Sequence, residues 1–409
     1  MMYLKNIFLK NYFSYGIFLA IILRLCFCFF EPSLFSNFTR FVWDGKLFSH
    51  GINPFIYLPS FLINTGNSVT AGVDYDFFSL LNSPNNYTSY GPFLQYFFTF
   101  AEKIFGTNTF EKIIFWRLLI ATAEIGSVFF MLKILHFFQL SEKNIFWYLL
   151  NPLVIFELYS NVQLEIIPIF FLIVSMWLFL CQKNIFSALS LALAAACNLL
   201  FLLPLLFLLP RLNIQKIIIY LTLFFALLAI LFFPFLADGK LIHLLRFNAT
   251  GFFAIGEFNS ASYKIVYWLQ GLLTNSITSF QTGLILFEMG ALSLLFFTFN
   301  QQEKKDVSVL KNIFFGFLIC LIFSAAIRPA DFILLLALSV FIPYRFVFVW
   351  SLFALLSYLS YNYFPVHDNL ILLITEYLSV SGILFYEWKK ERQKNIFSSQ
   401  VPSTFSNKK

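Results

Sequence analysis

Charge is what this sequence is short of. Asp, Glu, Lys and Arg make up 11% of 409 residues while 60% are hydrophobic, and the mean hydropathy is +0.80. A soluble domain cannot be built from so little polar surface, so the chain is read as an all-α polytopic membrane protein. Cysteine is sparse as well. Cys26, Cys28, Cys181, Cys197 and Cys320 all fall inside hydrophobic runs, and Cys26 and Cys28, two apart on a helix, do not face each other. Neither a disulfide framework nor a zinc site is expected from them. The histidines His50, His136, His243 and His367 are scattered without ligand spacing, so no metal and no cofactor is expected. A small-x-small cleavage site is also missing after the apolar core that follows Lys5 and Lys10, which makes the first run a span rather than a removed leader. Matched broken spans in two halves, expected of a transporter built from inverted repeats, are absent too.

What is abundant is apolar length. A helix needs about 20 apolar residues to cross the hydrocarbon layer, and such runs from Phe13 onward predict about twelve spans. Phenylalanine contributes 60 residues, and Lys-Asn-Ile-Phe recurs at Lys5, Lys143, Lys183, Lys311 and Lys394. That recurrence reads as biased composition where chains enter the membrane rather than as a structural repeat. Lys5, Lys10, Arg211, Lys216, Lys304, Lys305, Lys311, Lys389, Lys390, Arg392 and Lys394 fall on one side of this arrangement. Basic residues stay inside, which predicts a cell-membrane protein with both termini cytoplasmic and accounts for the net charge of +7 without a nucleic-acid partner. One domain is expected over 1–397, with external loops at about 31–90 and 237–262, and a polar, disordered tail over 398–409.

The loop between Glu31 and Gln95 is the only long polar stretch. It carries Arg40-Phe-Val-Trp-Asp-Gly45, Gly51-Ile-Asn-Pro-Phe-Ile-Tyr57 and Leu81-Asn-Ser-Pro-Asn-Asn-Tyr-Thr-Ser-Tyr-Gly-Pro92. Short helices are expected within it around Phe38 to Phe48 and Tyr75 to Leu81. Further on come Asn151-Pro-Leu-Val-Ile-Phe-Glu157 with Asn161 and Glu165, the small-residue-rich run Ala188 to Pro210, Glu257-Phe-Asn-Ser-Ala-Ser-Tyr263, and Trp350-Ser-Leu to Ser357-Tyr358. In this order the motifs resemble a bacterial branch of mannosyltransferase-like GT-C membrane glycosyltransferases, over most of the chain.

The resemblance implies a GT-C-like multispan helical domain with a large external loop after its first span. It also implies transfer of a sugar, mannose by analogy, from a polyprenyl-phosphate donor in the lipid bilayer to a glycan, lipid or protein acceptor on the external face. Such chemistry needs a carboxylate to take the acceptor's proton and cationic or backbone donors for the leaving phosphate. The adjacent aspartates usual in the family are Ser36 and Asn37 here, its usual His two residues before Glu165 is Gln163, and its basic residue in the small-residue-rich span is Asn198. Its Tyr-Pro-Pro reads Tyr90-Gly-Pro92, and its late His-Pro-Trp-Tyr reads Arg328-Pro-Ala-Asp331.

Asp44 and Glu31 are the candidates for the catalytic base, with Asp331 a third acid. Asp44 is alternatively a turn carboxylate before Gly45, and Glu31 an interfacial acid ending a helix before Pro32. Arg40, Arg328 and Arg246 are candidates for the donor phosphate, because a guanidinium fork grips phosphate at two points. Trp43, Asn53, Tyr57, Asn82, Tyr87, Tyr90, Glu165, Glu257 and Asn259 are candidates for substrate contacts, although aromatic residues also mark any membrane interface. Charges inside spans are costly unless paired, which singles out Arg117 and Glu124 as residues seeking partners on other spans. Two alternatives stay open: a catalytically silent relative serving as a lipid-carrier-binding or assembly subunit, and a transporter or flippase.

Overall fold

A chain in lipid must satisfy its backbone internally, and helices do this segment by segment. The computed structural model describes residues 2–28, 31–32, 37–65, 72–236, 257–273, 278–300, 306–342, 344–362 and 369–400, and they are predominantly helical. In order the helices are α1 (Met2–Cys28), α2 (Phe38–Ser49), α3 (Pro59–Thr65), α4 (Tyr75–Ser79), α5 (Pro92–Phe105), α6 (Thr109–Phe137), α7 (Phe146–Leu149), α8 (Pro152–Ile155), α9 (Ile166–Leu180), α10 (Asn184–Cys197), α11 (Leu205–Leu208) and α12 (Ile214–Phe232). The remainder are α13 (Ala261–Gly271), α14 (Ser279–Phe299), α15 (Asp306–Ile322), α16 (Phe332–Ser339), α17 (Phe346–Leu356) and α18 (Leu370–Gln400). Extended pairing among the described residues is confined to a bridge between Phe258 and Ala326. The last helix runs on to Gln400, past the expected boundary at 397.

Among the described residues four helices are long and apolar enough to cross a membrane: Thr109–Phe137, Ile214–Phe235, Ser279–Phe299 and Leu370–Lys390. Shorter apolar stretches accompany them, among them Phe13–Cys28, Ile166–Leu180 and Asn184–Cys197. Some of the continuous spans expected from hydropathy are interrupted by polar caps. Asn151 turns its side chain onto the Leu153 N–H at 2.9 Å just before Pro152, and Asn198 does the same for Leu200 at 2.9 Å. Both asparagines thereby restart helices in the middle of apolar runs.

Helices α9, α10 and α12 pack through small and hydroxylated residues, as lipid-embedded interfaces require. Ser175 Oγ donates to the Ser187 carbonyl at 2.9 Å, Ser187 Oγ donates back to the Ser175 carbonyl at 3.0 Å, and Tyr220 OH joins at 3.1 Å. The charges in the spans are also partnered across helices. Arg24 of α1 grips Glu124 of α6 with two nitrogens, each at 2.7 Å, and the Tyr159 hydroxyl donates to the same carboxylate at 2.7 Å. Arg117 spends its guanidinium on the carbonyls of Cys28 at 2.7 Å and Tyr159 at 3.1 Å. The expectation that Arg117 and Glu124 find partners on other spans therefore agrees with the structure.

The loop before α5 folds onto the helical body rather than standing away from it. Helix α2 lies so close to α5 that a Cβ on Gly45 would meet the Phe98 carbonyl at 2.5 Å. Trp43, Leu47, Leu62, Val73 and Leu81 form a small core of the loop's own. Phe55 and Phe235 fasten it to the end of α12. The glycine of Tyr90-Gly-Pro92 has a comparable reason. Its N–H donates to the Cys197 carbonyl at 2.9 Å, which a proline could not do, and a Cβ there would lie 2.2 Å from the Ala196 carbonyl. Gly91→Ala should accordingly cost about 1–3 kcal/mol by overpacking, read as a lowered melting temperature in detergent.

Candidate functional site

The segment from Asn151 to Glu165 shows how a break in a helix places polar side chains. After α8 the chain widens into a π-helical turn over Phe156–Ser160, with the Asn161 N–H reaching back to the Phe156 carbonyl at 3.0 Å. Such turns are rare and frequent at functional sites. Val162 then sits at φ 55°, a left-handed conformation that a β-branched side chain resists. Local strain of this kind persists only where the surroundings over-determine it. The Gln163 N–H donates to the Glu157 carbonyl at 3.0 Å, and α9 begins one residue after Glu165. A run of apolar sequence thus delivers Glu157, Asn161, Gln163 and Glu165 within one short turn.

Around this turn the cluster is built from distant segments. Glu157 is fully buried and both its oxygens are used: the Tyr358 hydroxyl donates to one at 2.5 Å and Asn161 to the other at 3.2 Å. Asn37, just before α2, donates its amide to Gln163 Oε1 at 3.3 Å. Tyr90 is held edge-on by Phe41 at 4.9 Å and Phe98 at 5.6 Å. Arg328 lies within electrostatic reach of Tyr90 and Glu165, and Asp331 within reach of Glu157 and Glu165. Arg328 donates from its backbone N–H to Asp331 at 2.8 Å and from its guanidinium at 3.1 Å, yet keeps 49% of its side chain accessible. Its strand-like approach is fixed by the Ile327 N–H donating to the Phe258 carbonyl at 2.8 Å. Glu165 Oε2 is buried without a hydrogen-bond partner.

Tyr90, Glu165 and Arg328 are therefore the candidates that the fold brings together, with Asp331 beside them. Asp44 is also within electrostatic reach of Tyr90, while its hydrogen bonds run to Arg40 and the first loop. Arg40 Nε donates to Asp44 Oδ1 at 2.9 Å, and its Nη1 donates to the carbonyls of Asn86 at 2.9 Å and Ser83 at 3.3 Å. Asp44 Oδ2 accepts from Thr88 and, at 3.1 Å, from Gln95. Asp44 is wholly buried in the middle of α2, so Asp44-Gly45 is not the turn that its sequence suggests. Helical spacing puts Arg40 and Asp44 on one face, and the pair braces the loop from Ser83 to Thr88 against α2.

The remaining candidates are engaged in the loop's own packing or with other segments. Trp43 is fully buried and stacks parallel to Phe77 at 6.4 Å. Asn53 donates to the Phe235 carbonyl at 2.8 Å and accepts from the Phe55 N–H at 3.0 Å, tying the loop to α12. Tyr57 stacks on Phe61 at 6.0 Å. Glu31 and Asn82 are exposed and Tyr87 is half-buried. Glu257 pairs with Lys264, and Asn259 donates to Glu376 at 3.2 Å while its carbonyl accepts from Tyr377 at 3.0 Å. Arg246 and Ser36 lie outside the described residues.

Sequence reasoning missed the hydrogen bond from Asn37 to Gln163, and the use of Thr88 and Gln95 on Asp44. The signal for the first was present, because Asn37 and Gln163 both stand where the resembling family has ionisable residues. Comparison with known families adds one finding. The family model of the alpha-(1->6)-mannopyranosyltransferase N-terminal domain matches residues 33–212. That is less than half of the chain; it takes in the first loop, Tyr90 and the Asn151 to Glu165 turn, and stops short of Arg328. The similarity supports a mannosyltransferase-like membrane glycosyltransferase in general terms. Among curated proteins, none matches the chain.

Proposed function

We propose that this chain is a membrane glycosyltransferase that moves a sugar, mannose by its resemblance, from a polyprenyl-phosphate donor to a glycan, lipid or protein acceptor on the external face of the cell membrane. Its site is the cluster of Tyr90, Glu165 and Arg328. The observation that carries this reading is that a half-accessible guanidinium, a phenol and a half-buried glutamate with one buried oxygen, from three segments far apart in sequence, lie within electrostatic reach of one another. Arg328 grips the donor phosphate, because its planar fork offers two-point contact and stays charged at any working pH. Asp331 orients that fork without covering it. Tyr90 and the turn at Asn161 to Glu165 border the space where the sugar sits, and the lipid tail of the donor remains in the bilayer.

A second reading rests on a specific contact. Asn37 and Gln163, where the resemblance places an aspartate and a histidine, are neutral amides bonded to each other. A silent relative that binds the lipid carrier without transfer would look the same there. Membranes containing the protein, given polyprenyl-phosphate-linked labelled mannose and other sugars with an endogenous acceptor mixture, separate the two. Transfer above membranes lacking the protein is expected; labelling by a photoreactive polyprenyl phosphate with no transfer of any sugar would favour the silent relative. Arg328→Lys keeps the charge and loses the fork, so it should weaken photolabelling about tenfold, the equivalent of about 1.4 kcal/mol. Unchanged labelling would remove Arg328 from the donor site.

A further inference from the structure

The carboxylates in the described interior differ in one respect that bears on chemistry: whether an oxygen remains to accept a proton. Glu124 is filled by Arg24 and Tyr159. Asp44 is filled by Arg40, Thr88 and Gln95. Glu157 receives Tyr358 on one oxygen and Asn161 on the other. Asp331 is committed to Arg328, and Glu376 accepts from Trp350 at 2.7 Å and Asn259 at 3.2 Å, both on Oε1. Glu165 combines a buried Oε2 that has no hydrogen bond with Arg328 and Tyr90 within electrostatic reach, a combination that Glu376, whose Oε2 is also buried without a hydrogen bond, does not share. A buried polar atom left without a partner costs about 1–3 kcal/mol, which a donor brought by a ligand would relieve.

We propose that Glu165 is the general base of this site, an assignment that rests on the glycosyl-transfer reading above. The acceptor hydroxyl supplies the missing donor to Glu165 Oε2. As its oxygen lone pair forms the new bond to the anomeric carbon, its proton passes to Oε2. The bond from the anomeric carbon to the phosphate oxygen breaks, and its electron pair leaves with the lipid phosphate, whose added negative charge is held by Arg328. The proton on Glu165 is then released to water. The break before α9 makes Glu165 the first residue capping that helix, within electrostatic reach of Arg328.

The test uses the full-length protein in membranes and three measurements. Glu165→Gln keeps the shape and removes the base, so transfer to hydroxyl acceptors should fall at least about 100-fold, within the range for loss of a general base. Labelling by photoreactive polyprenyl phosphate should stay at the wild-type level. Glu165→Ala supplied with azide, a nucleophile with no proton to lose, should form the glycosyl azide from the same donor, which a merely structural glutamate would not allow. Wild-type transfer rates in Glu165→Gln would overturn the assignment while leaving the transferase reading intact. So would a photolabelled Glu165→Ala that stays silent with azide, or loss of labelling in both variants, which would make Glu165 a structural residue. Absence of transfer by the wild-type protein with every sugar offered would instead overturn the transferase reading, and this assignment with it.

Discussion

Asp44→Asn is expected to loosen the first loop, lowering stability by about 3–5 kcal/mol, the cost of breaking a buried ion pair from one side. The substitution leaves Arg40 charged and buried against the carbonyls of Ser83 and Asn86. It also puts an amide where Thr88 and Gln95 both donate, so one of those donors meets another donor. Melting of the purified protein in detergent should shift down, and proteolysis within the loop from Ser83 to Thr88 should accelerate. Transfer activity should fall as a consequence of that loosening. Replacing both partners, Arg40→Met with Asp44→Leu, removes the stranded charge and should recover much of the loss, since a buried pair exchanged for apolar residues of similar volume is often near neutral. A catalytic Asp44 predicts the opposite pattern: Asp44→Asn melts like the wild type and transfers nothing, and the double variant is equally silent.

The all-helical membrane character was legible because it depends on quantities that add along the chain, namely apolar length and scarcity of charge. The broken helices were not, because a hydropathy run does not register that Asn151 and Asn198 cap new helices within it. A helix is expected around Phe38 to Phe48 and runs over Phe38–Ser49, so the i, i+4 relation of Arg40 and Asp44 was within reach of the sequence. What hid it was the Asp-Gly dipeptide, a turn signal by composition that is here overridden by packing: Gly45 serves the close approach of α2 to Phe98. Tyr90, Glu165 and Arg328 carried sequence signals singly, but their convergence depends on tertiary placement. The Phe258 to Ala326 bridge that sets Arg328 joins segments with no periodicity in common. Gly91 illustrates the same limit, since its need for a hydrogen bond to Cys197 exists only once α10 ends beside it.

Glu124→Leu should be at least as damaging as Asp44→Asn, because it strands Arg24 within apolar helices, where an unpaired arginine costs about 2.5–3.5 kcal/mol on insertion scales and breaking a buried pair about 3–5 kcal/mol. Arg24 also donates to the carbonyls of Ala20 and Leu149, each at 2.9 Å, and lies 5.7 Å from the centre of the Tyr159 ring. Removing the charge as well, with Arg24→Met, should restore only part of the stability. The Tyr159 hydroxyl then loses its acceptor in Glu124, and a buried hydroxyl without one costs about 1–3 kcal/mol. Adding Tyr159→Phe removes that group too and should bring melting in detergent back near the wild type. Tyr159 belongs to the π-helical turn that leads to Asn161, Gln163 and Glu165, so the series also tests how the network serves the site. Transfer should be lost in Glu124→Leu and return in the triple variant if the ionic network only supports the turn. A triple variant that melts normally yet transfers poorly would show that the network also sets the position of Glu165, since its own charges are too well partnered to take part in the chemistry.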